Sequence, residues 1–564
     1  MAIYRFEIEN RPDLSDARGA QLASRLQAHL GFRTTNIRSR SVYLCELDVT
    51  AVQAQQILAA IVDPVLEQGV VGALPDAVPD GEAPQVVEIG LRPGVTDSVG
   101  RSVLRAAEDC LGCRLADGAV YTATMFRIWG LSREQLETAA KQLLFNPLIE
   151  TLQVHESPRT PSFSVPRAGQ AKTPAVASVP LREMDDKALL ALSHSGMLAL
   201  NLQEMQAIAA HFRTLGRDPT DAELECLAQT WSEHCKHKIF ASPVVYTDPN
   251  GRTRTIRRGL FRTHIRGATE AIAEVRRAQG VDPQDRPFLV SVFHDNAGVV
   301  RLSEADHLVY KVETHNSPSA LDPYGGAMTG IVGVNRDSMG TGLGAELLTN
   351  VWGYCLGPPD HNEALPPGLM HPSRIREGVH AGVQDGGNQS GIPYSRGFEL
   401  FDTRYLGKPL VYCGTVAVMP VESAGKPTHE KRTQVGDRVV MLGGRIGKDG
   451  IHGATFSSVE LDEDSPVQAV QIGDPITQKM MYDFLLEALE LGLFSGITDN
   501  GAGGLSSSVG EMAEATGGAH IDLARAPLKY PGLAPWEILI SEAQERMTVA
   551  VAPANLEAFL ALAK

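Results

Sequence analysis

The segment from Lys311 to Asp337, KVETHNSPSALDPYGGAMTGIVGVNRD, sets charged and metal-competent residues against a glycine-rich run. Leu308, Tyr310 and Val312 alternate with Val309, Lys311, Glu313 and His315, which predicts a strand. Lys311, Glu313 and His315 then share one face, and Tyr310 and Val312 are expected to face a core. Pro318 and the cluster Asp322 to Gly326 end the strand and turn the chain. From Gly326 the pattern becomes helical, with Gly326, Gly330, Gly333 and Asp337 spaced 4, 3 and 4 apart on one helix face. Each glycine costs ~1 kcal/mol against alanine in a helix. That cost makes sense where another backbone or a ligand must come close. A glycine-rich turn opening a helix suits phosphate, because free N–H groups and the helix dipole point at it. Glu313 before the turn and Asp337 after it are hard oxygen ligands suited to Mg²⁺, which binds through one or two carboxylates plus phosphates. A plain strand–turn–helix with packing glycines and a charged strand edge accounts for the same spacing, which leaves both readings open.

Other candidates lie on either side. Thr220 and Glu223 form a capping box opening a helix that delivers Ser232-Glu233-His234-Cys235-Lys236-His237. His234 and His237 would share a face, as a metal pair lacking a third ligand, as acid/base or anion-binding imidazoles, or as a polar helix end. Ile497-Thr498-Asp499 ends a strand and meets Gly501 to Gly504, the place where open α/β sheets hold ligands. Asp499 is thus a candidate third metal carboxylate. Glu542-Ala543-Gln544 sits between two apolar strand-like runs. Gly382 to Asn388, following a helix expected at Arg374–Val383, reads as a tight turn able to line a site. Gly447, Gly450 and Gly453 with His452 read as a flexible polar loop or a surface turn. Gly353 to Gly357 has the G-x-C-x-G outline of a nucleophile elbow, but Pro358-Pro359 follows in place of a helix, so Cys355 is expected to be a buried strand residue. Cys110 and Cys113 lack the second pair that a zinc site needs.

The chain that positions these residues has 564 of them, too many for one core, and ~150 residues per domain predicts three to five domains. A net charge of −16 with no basic stripe argues against a nucleic-acid partner. No apolar run is long enough to span a membrane, and MAIYRFEIEN carries no apolar signal core. Seven cysteines fit a reducing cytoplasm without a disulfide framework.

An internal repeat opens the chain: Arg11-Pro12, Gly19 and Leu30-Gly31 recur 81 residues later as Arg92-Pro93, Gly100 and Leu111-Gly112. Each copy reads strand, helix, two strands, helix and a last strand, a small α+β unit of the split βαβ kind. The expected organisation is a first unit over 1–80, a second over 81–156, and a Pro/Ser-rich linker over 157–181. A helical segment over 182–245, an α/β domain over 246–425 and a second one over 426–564 follow. No closing strand is evident near Lys564, so this last domain is expected to be incomplete.

SEHCKHKIF (232–240), KVETHNSPSALDPYGGAMTG (311–330), NRD (335–337), GGRIGKDGIHGATFSS (443–458), VQIGDP (470–475), TDNGAGGLSSS (498–508) and SEAQERM (541–547) together resemble the PurL-type phosphoribosylformylglycinamidine synthases of purine synthesis. The opening repeat is similar to PurS, a small accessory subunit, here fused and doubled. The resemblance implies an ATP-binding α/β domain of the PurM/PurL type followed by its partner domain. It implies a cytoplasmic, ATP-dependent ligase in which ATP phosphorylates the amide oxygen of formylglycinamide ribonucleotide. Ammonia from a glutaminase subunit or downstream domain then displaces phosphate to give the amidine. By similarity His234 matches a catalytic histidine and His315 a proton acceptor, while His237 and Lys311 match ATP contacts. Thr314, Asn316, Ser317, Arg336, Gln471 and Glu542, Ala543 and Gln544 match substrate positions, and Glu313, Asp337 and Asp499 match Mg²⁺ ligands. Two positions depart from the pattern: the usual HNHP is His315-Asn316-Ser317-Pro318, and the usual ESQ is Glu542-Ala543-Gln544. The family also builds its ATP cleft with a second synthetase half. A related phosphorylating enzyme, such as aminoimidazole ribonucleotide or selenophosphate synthetase, and a non-catalytic scaffold that docks a glutaminase are the alternatives.

Overall fold

The opening repeat is built as one sheet. In the computed structural model, which describes residues 2–75, 83–93, 95, 97–146, 149–155, 163–166, 174–283, 287–366, 368–457 and 473–564, the chain divides into units 1–169 and 170–564. Gln471 and most of the expected linker lie outside the described residues. The first copy runs β1 (Ala2–Asn10), α1 (Ala17–Leu30), β2 (Asn36–Leu47), α2 (Ala51–Ile61) and β3 (Glu67–Val71). The second runs β4 (Gln85–Leu91), α3 (Ser98–Leu111), β5 (Ala119–Trp129), α4 (Arg133–Ala139) and β6 (Glu150–His155). Each copy has one long strand where two were expected, because nothing in β2 or β5 breaks the extended run. The strands pair antiparallel in the order β3-β1-β2-β5-β4-β6, so the copies meet edge to edge through β2 and β5. The repeated glycine has a steric cause: a Cβ on Gly19 would lie 2.3 Å from the Ile37 carbonyl, and one on Gly100 2.3 Å from that of Val120.

Along β1, Phe6 and Ile8 enter an apolar core, so Arg5, Glu7 and Glu9 project from the opposite face. They are buried there in an ionic network. Arg5 binds Glu7 and Glu88, each at 2.7 Å, and Arg40 binds Glu7 at 3.0 Å and Glu9 at 2.9 Å. Arg127 also pairs with Glu9, so two of these links join one copy to the other. Burial pushes the Glu88 carboxyl up, but hydrogen bonds from His155 and Arg5 more than offset this and bring it down to about 2. A folded pKa below the unfolded one gives stability that is present above the ordinary carboxylate range and lost as pH falls toward 2. Glu88→Ala should cost about 3 kcal/mol in urea unfolding at neutral pH, since it strands a buried guanidinium, and should remove part of the acid sensitivity.

The second unit begins with α5 (Asp186–Ser195), α6 (Leu202–Leu215) and α7 (Asp221–Thr230), packed around Leu189, Met205, Ile208, Phe212 and Leu224. Two one-turn helices follow, α8 (Glu233–Lys236) and α9 (Lys238–Ala241), then the hairpin β7 (Val244–Thr247) and β8 (Thr253–Ile256), and α10 (Gly267–Ala278). The larger α/β domain runs β9 (Leu289–Ser291), β10 (Gly298–Arg301), β11 (Asp306–Thr314), α11 (Asn316–Leu321), α12 (Pro323–Met339), β12 (Glu346–Leu356), α13 (Pro372–Ser390), β13 (Tyr394–Phe401) and β14 (Leu410–Pro420). Its sheet order is β13-β12-β14-β11-β10-β9, antiparallel except for the β12–β13 pair. A small hairpin, β15 (Glu422–Ser423) and β16 (Lys426–Pro427), leads to the next domain. There β17 (Arg438–Gly443), α14 (Gly453–Ser457), α15 (Pro475–Glu490), β18 (Gly496–Asp499), α16 (Gly504–Glu514), α17 (Pro535–Ile540), β19 (Arg546–Val551) and α18 (Leu556–Leu562) surround a sheet of order β17-β19-β18. One apolar core holds both domains, with Val309 and Met339 from the first packed with Met481, Leu485 and Val549 from the second. That shared core fixes the end of β11 against the end of β18.

Two expectations are corrected here and one holds. Tyr310 and Val312 are 49% and 45% exposed; the covered face of β11 is the one carrying Val309 and Lys311, where α12 packs. Gly382 to Asn388 is no turn but the C-terminal part of α13. Its glycines let α13 approach α12, since a Cβ on Gly382 would lie 2.2 Å from the Tyr324 carbonyl. Cys355, as expected, is a buried strand residue. Among the described residues no helix is long and apolar enough to cross a membrane.

Candidate active site

β11 brings Lys311 and Glu313 to the edge of a cleft, α12 brings Asp337 to the same edge, and β18 brings Asp499 from the other sheet. The Lys311 ammonium lies 2.8 Å from Glu313 Oε1 and 3.4 Å from Asp337 Oδ2, and donates to the Asn296 carbonyl at 2.8 Å. Asp499 accepts from Asn296 Nδ2 at 3.1 Å and lies 3.6 Å from Arg336 Nε. Three carboxylates from two domains are thus joined through Lys311, Asn296 and Arg336. The cleft they border has a volume of about 670 Å³. Also on its walls are His234, His237, Thr314, His315, Asn316, Ser317, Arg336, Glu542 and Gln544. Ala543 does not line it: the residue is buried, and its N–H donates to Ser541 Oγ at 3.2 Å.

Helix α12 explains the glycine spacing. A Cβ on Gly326 would sit 2.5 Å from the backbone of α11, and one on Gly330 2.9 Å from Cys413 Sγ and 3.1 Å from the His315 Cβ. Gly333 instead faces the cleft. The helix from Thr220 stops earlier than expected. α7 ends at Thr230, Ser232 caps α8, and His237 leaves that turn at φ 51°. His234 and His237 therefore reach the cleft from separate backbone conformations, not from one helix face.

Burial pushes the Asp337 carboxyl well up; Lys311 opposes this, and Asp499 and Glu313 add to it. Burial pulls the Lys311 ammonium down, but Asp337 and Glu313 more than offset that and raise it above its ordinary value. Burial lowers both His234 and His315, the latter to about 4. Both imidazoles are neutral at neutral pH and able to accept a proton. His315 Nδ1, Ser317 Oγ and Arg336 Nη1 are buried and have no hydrogen-bond partner among the described residues. Buried polar atoms without partners on a cleft wall are what a polar ligand would satisfy. The His315 shift has a stability consequence. The unfolded imidazole takes a proton near 6.5 and the folded one only near 4, so stability falls as pH drops through that window. Wild-type protein should lose up to about 3 kcal/mol more than His315→Gln across it, read by urea unfolding at stepped pH.

Several site residues had no reading in the sequence. Asn296 touches both Lys311 and Asp499. Arg546 is wholly buried, donates to the Ala543 carbonyl at 2.8 Å and the Ser541 carbonyl at 2.5 Å, and so shapes the loop carrying Glu542. Glu542 in turn accepts the Ala454 N–H at 3.0 Å and the Gly503 N–H at 3.3 Å. A charged residue opening an otherwise uncharged strand, as Arg546 does in β19, was the available signal.

Comparison with known proteins decides the family. The formylglycinamide ribonucleotide amidotransferase linker domain matches residues 189–238, and the N- and C-terminal domains of AIR synthase related proteins match 294–419 and 434–564. The PurL subunit of phosphoribosylformylglycinamidine synthase from Thermoplasma acidophilum is 37% identical over 383 residues, 67% of this chain and 45% of that protein. This chain belongs to the PurL family. The Salinibacter ruber PurL is 35% identical over 351 residues, 61% of this chain and 40% of the relative. The chain spans less than half the length of these curated PurL relatives. A solved PurL of Thermotoga maritima, described as complexed with FGAR, has 31% identity and a TM-score of 0.47 over 64% of this chain and 50% of that one. The PurM-type α/β class expected for the two domains agrees with the AIR synthase matches.

Proposed function

We propose that the cleft is the synthetase centre of an ATP-dependent amidine-forming ligase, acting on formylglycinamide ribonucleotide and ammonia. The observation that carries this reading is the convergence of Lys311, Glu313, Asp337 and Asp499 from two α/β domains on one cleft. Phosphoryl transfer needs positioned cations and little covalent chemistry from the protein. Lys311 places a fixed positive charge where phosphate oxygens would lie, and His237, which lines the same cleft, serves as a second ATP contact. Glu313, Asp337 and Asp499 would hold Mg²⁺. The donor set fits: hard carboxylate oxygens, one of them pushed toward protonation by burial and its neighbours, gain from a divalent cation. As they lie, no three His, Cys, Asp or Glu side chains among the described residues are grouped tightly enough to hold an ion, and Lys311 partly occupies the space between two of them. Bound Mg²⁺ would neutralise charge on the transferring phosphoryl oxygens.

His315, neutral and with Nδ1 unpartnered, is placed to take a proton as ammonia attacks. His234 on the facing wall completes the acid/base pair. Thr314, Asn316, Ser317, Arg336, Gln471 and the 542–544 loop are the substrate contacts in this reading, with Ala543 acting through the loop and not through contact. Arg336, buried with an unpartnered Nη1, suits the substrate phosphate. Ammonia would come from a glutaminase partner, and a second synthetase half would complete the ATP cleft, with the opening repeat serving as PurS-like modules. The test supplies the chain, together with the second synthetase half that this reading requires, with ATP, Mg²⁺, formylglycinamide ribonucleotide and ammonium. ADP formation that depends on the ribonucleotide is the expected result. ADP formation only with a different acceptor, or none, contradicts the proposal.

A further inference from the structure

His452 lies outside the cleft contacts and has no part in the reading above. Expected on a flexible polar loop, it is 4% exposed, with its backbone at φ 61°. A non-glycine residue in the left-handed region persists where its surroundings hold it there. Its Nε2 lies 2.8 Å from Glu225 Oε2 on α7, and its ring stacks on Trp536 of α17 at 6.1 Å between centroids and 15° between planes. Glu225 is also buried. Two desolvated polar groups that meet only at helix and loop are costly unless each satisfies the other.

Both ends of this contact lead straight to a cleft wall. Glu225 precedes His234 by 9 residues, and the path between them ends where Ser232 Oγ accepts the Cys235 N–H at 3.2 Å to cap α8. On the other side, His452 is followed by Gly453 and Ala454, which line the cleft, and the Ala454 N–H donates to Glu542 at 3.0 Å. We propose that His452 and Glu225 are a positioning pair: their contact locks α7 to the glycine-rich loop before α14 and so holds His234 at a fixed separation from Ala454 and Glu542. The proposal rests on the functional reading only in calling that cleft catalytic.

Cys235 is exposed on α8 and reports the position of that turn without any assay of turnover. Peptide-resolved alkylation by iodoacetamide is followed in the full chain for wild type, His452→Phe, His452→Gln, Glu225→Ala and the double variant His452→Phe/Glu225→Ala. Glutamine keeps a donor near the Nε2 position and phenylalanine does not. Desolvation and the nearby Glu542 and Glu511 hold the Cys235 thiol above its ordinary range, so freeing the turn should raise its thiolate fraction, and His452→Phe and Glu225→Ala should each speed Cys235 labelling about tenfold. The double variant should be no faster than either single one, and His452→Gln should stay near wild type. Cys110 and Cys113, exposed in the other unit, should label at unchanged rates in all variants. Where turnover is measured, His452→Phe should lower kcat about tenfold with KM for ATP little changed, as loss of a positioned acid/base group requires. Unchanged Cys235 labelling in His452→Phe, equal acceleration in His452→Gln, or parallel acceleration at Cys110 and Cys113 overturns the proposal. The Cys235 response without ribonucleotide-dependent turnover upholds the pair and overturns the functional reading instead.

Discussion

Asp337→Asn should lower ribonucleotide-dependent ADP formation by about 10²- to 10³-fold, the range seen when one preorganised electrostatic group is removed from a transition state. It should do so without weakening the fold. Asp337 is a carboxylate that burial, Asp499 and Glu313 all push toward protonation, with Lys311 as its counterweight. Replacing it by the isosteric amide removes a buried charge and the repulsion it feels. Lys311 keeps Glu313 at 2.8 Å and the Asn296 carbonyl at 2.8 Å, so its own desolvation stays compensated. Thermal unfolding should therefore be unchanged or slightly raised while turnover collapses. Parallel loss of both would make Asp337 a structural residue, and unchanged kinetics would remove it from the site.

Lys311→Met should show the opposite balance. Turnover should fall at least as far, because the ammonium proposed to face the phosphates goes. Stability falls as well, by about 1 kcal/mol, because the pairs that Lys311 makes are partly exposed and screened by solvent. The reason is that Lys311 holds Glu313 and Asp337 together, and Asp499 adds its charge to theirs. Adding Asp337→Asn to Lys311→Met should recover part of the lost stability and none of the turnover. Double-mutant analysis of urea unfolding reads that coupling directly. Additive effects would show that the two groups do not share one electrostatic site.

How far the sequence carries this account depends on which physical signal each residue leaves. Strand alternation put Lys311, Glu313 and His315 on one face, and all three border the cleft. It failed for Tyr310 and Val312, because apolar character alone does not say which face of a sheet the helices cover; here they cover the charged one. Helical glycine spacing correctly marked α12 as approached closely, while the glycines of α13 were read as a turn. Gly326 and Gly382 serve the same purpose, a helix–helix approach too tight for side chains, whereas Gly330 lets α12 approach β14. Asp499 was legible because a carboxylate at a strand end before glycines has few other uses. Asn296 was not, because Asn in a turn is what turn formation alone requires. His452 was hidden for a related reason: glycines on both sides suggest a mobile loop, and burial against Glu225, 227 residues away in sequence, leaves no local trace. Ser317 and Ala543, the two departures from the family pattern, part company in the structure. Ser317 faces the cleft with an unpartnered hydroxyl, whereas Ala543 is packed behind it.

Carboxylates from two α/β domains are proposed to act together on one nucleotide through a divalent cation. Calorimetric titration of ATP into the chain, with and without Mg²⁺, tests it most directly when run on wild type, Asp337→Asn and Asp499→Asn. The account predicts that Mg²⁺ tightens ATP binding by wild type and that either substitution, one in each domain, abolishes the tightening while the fold remains intact. An undiminished Mg²⁺ effect in both variants would contradict it.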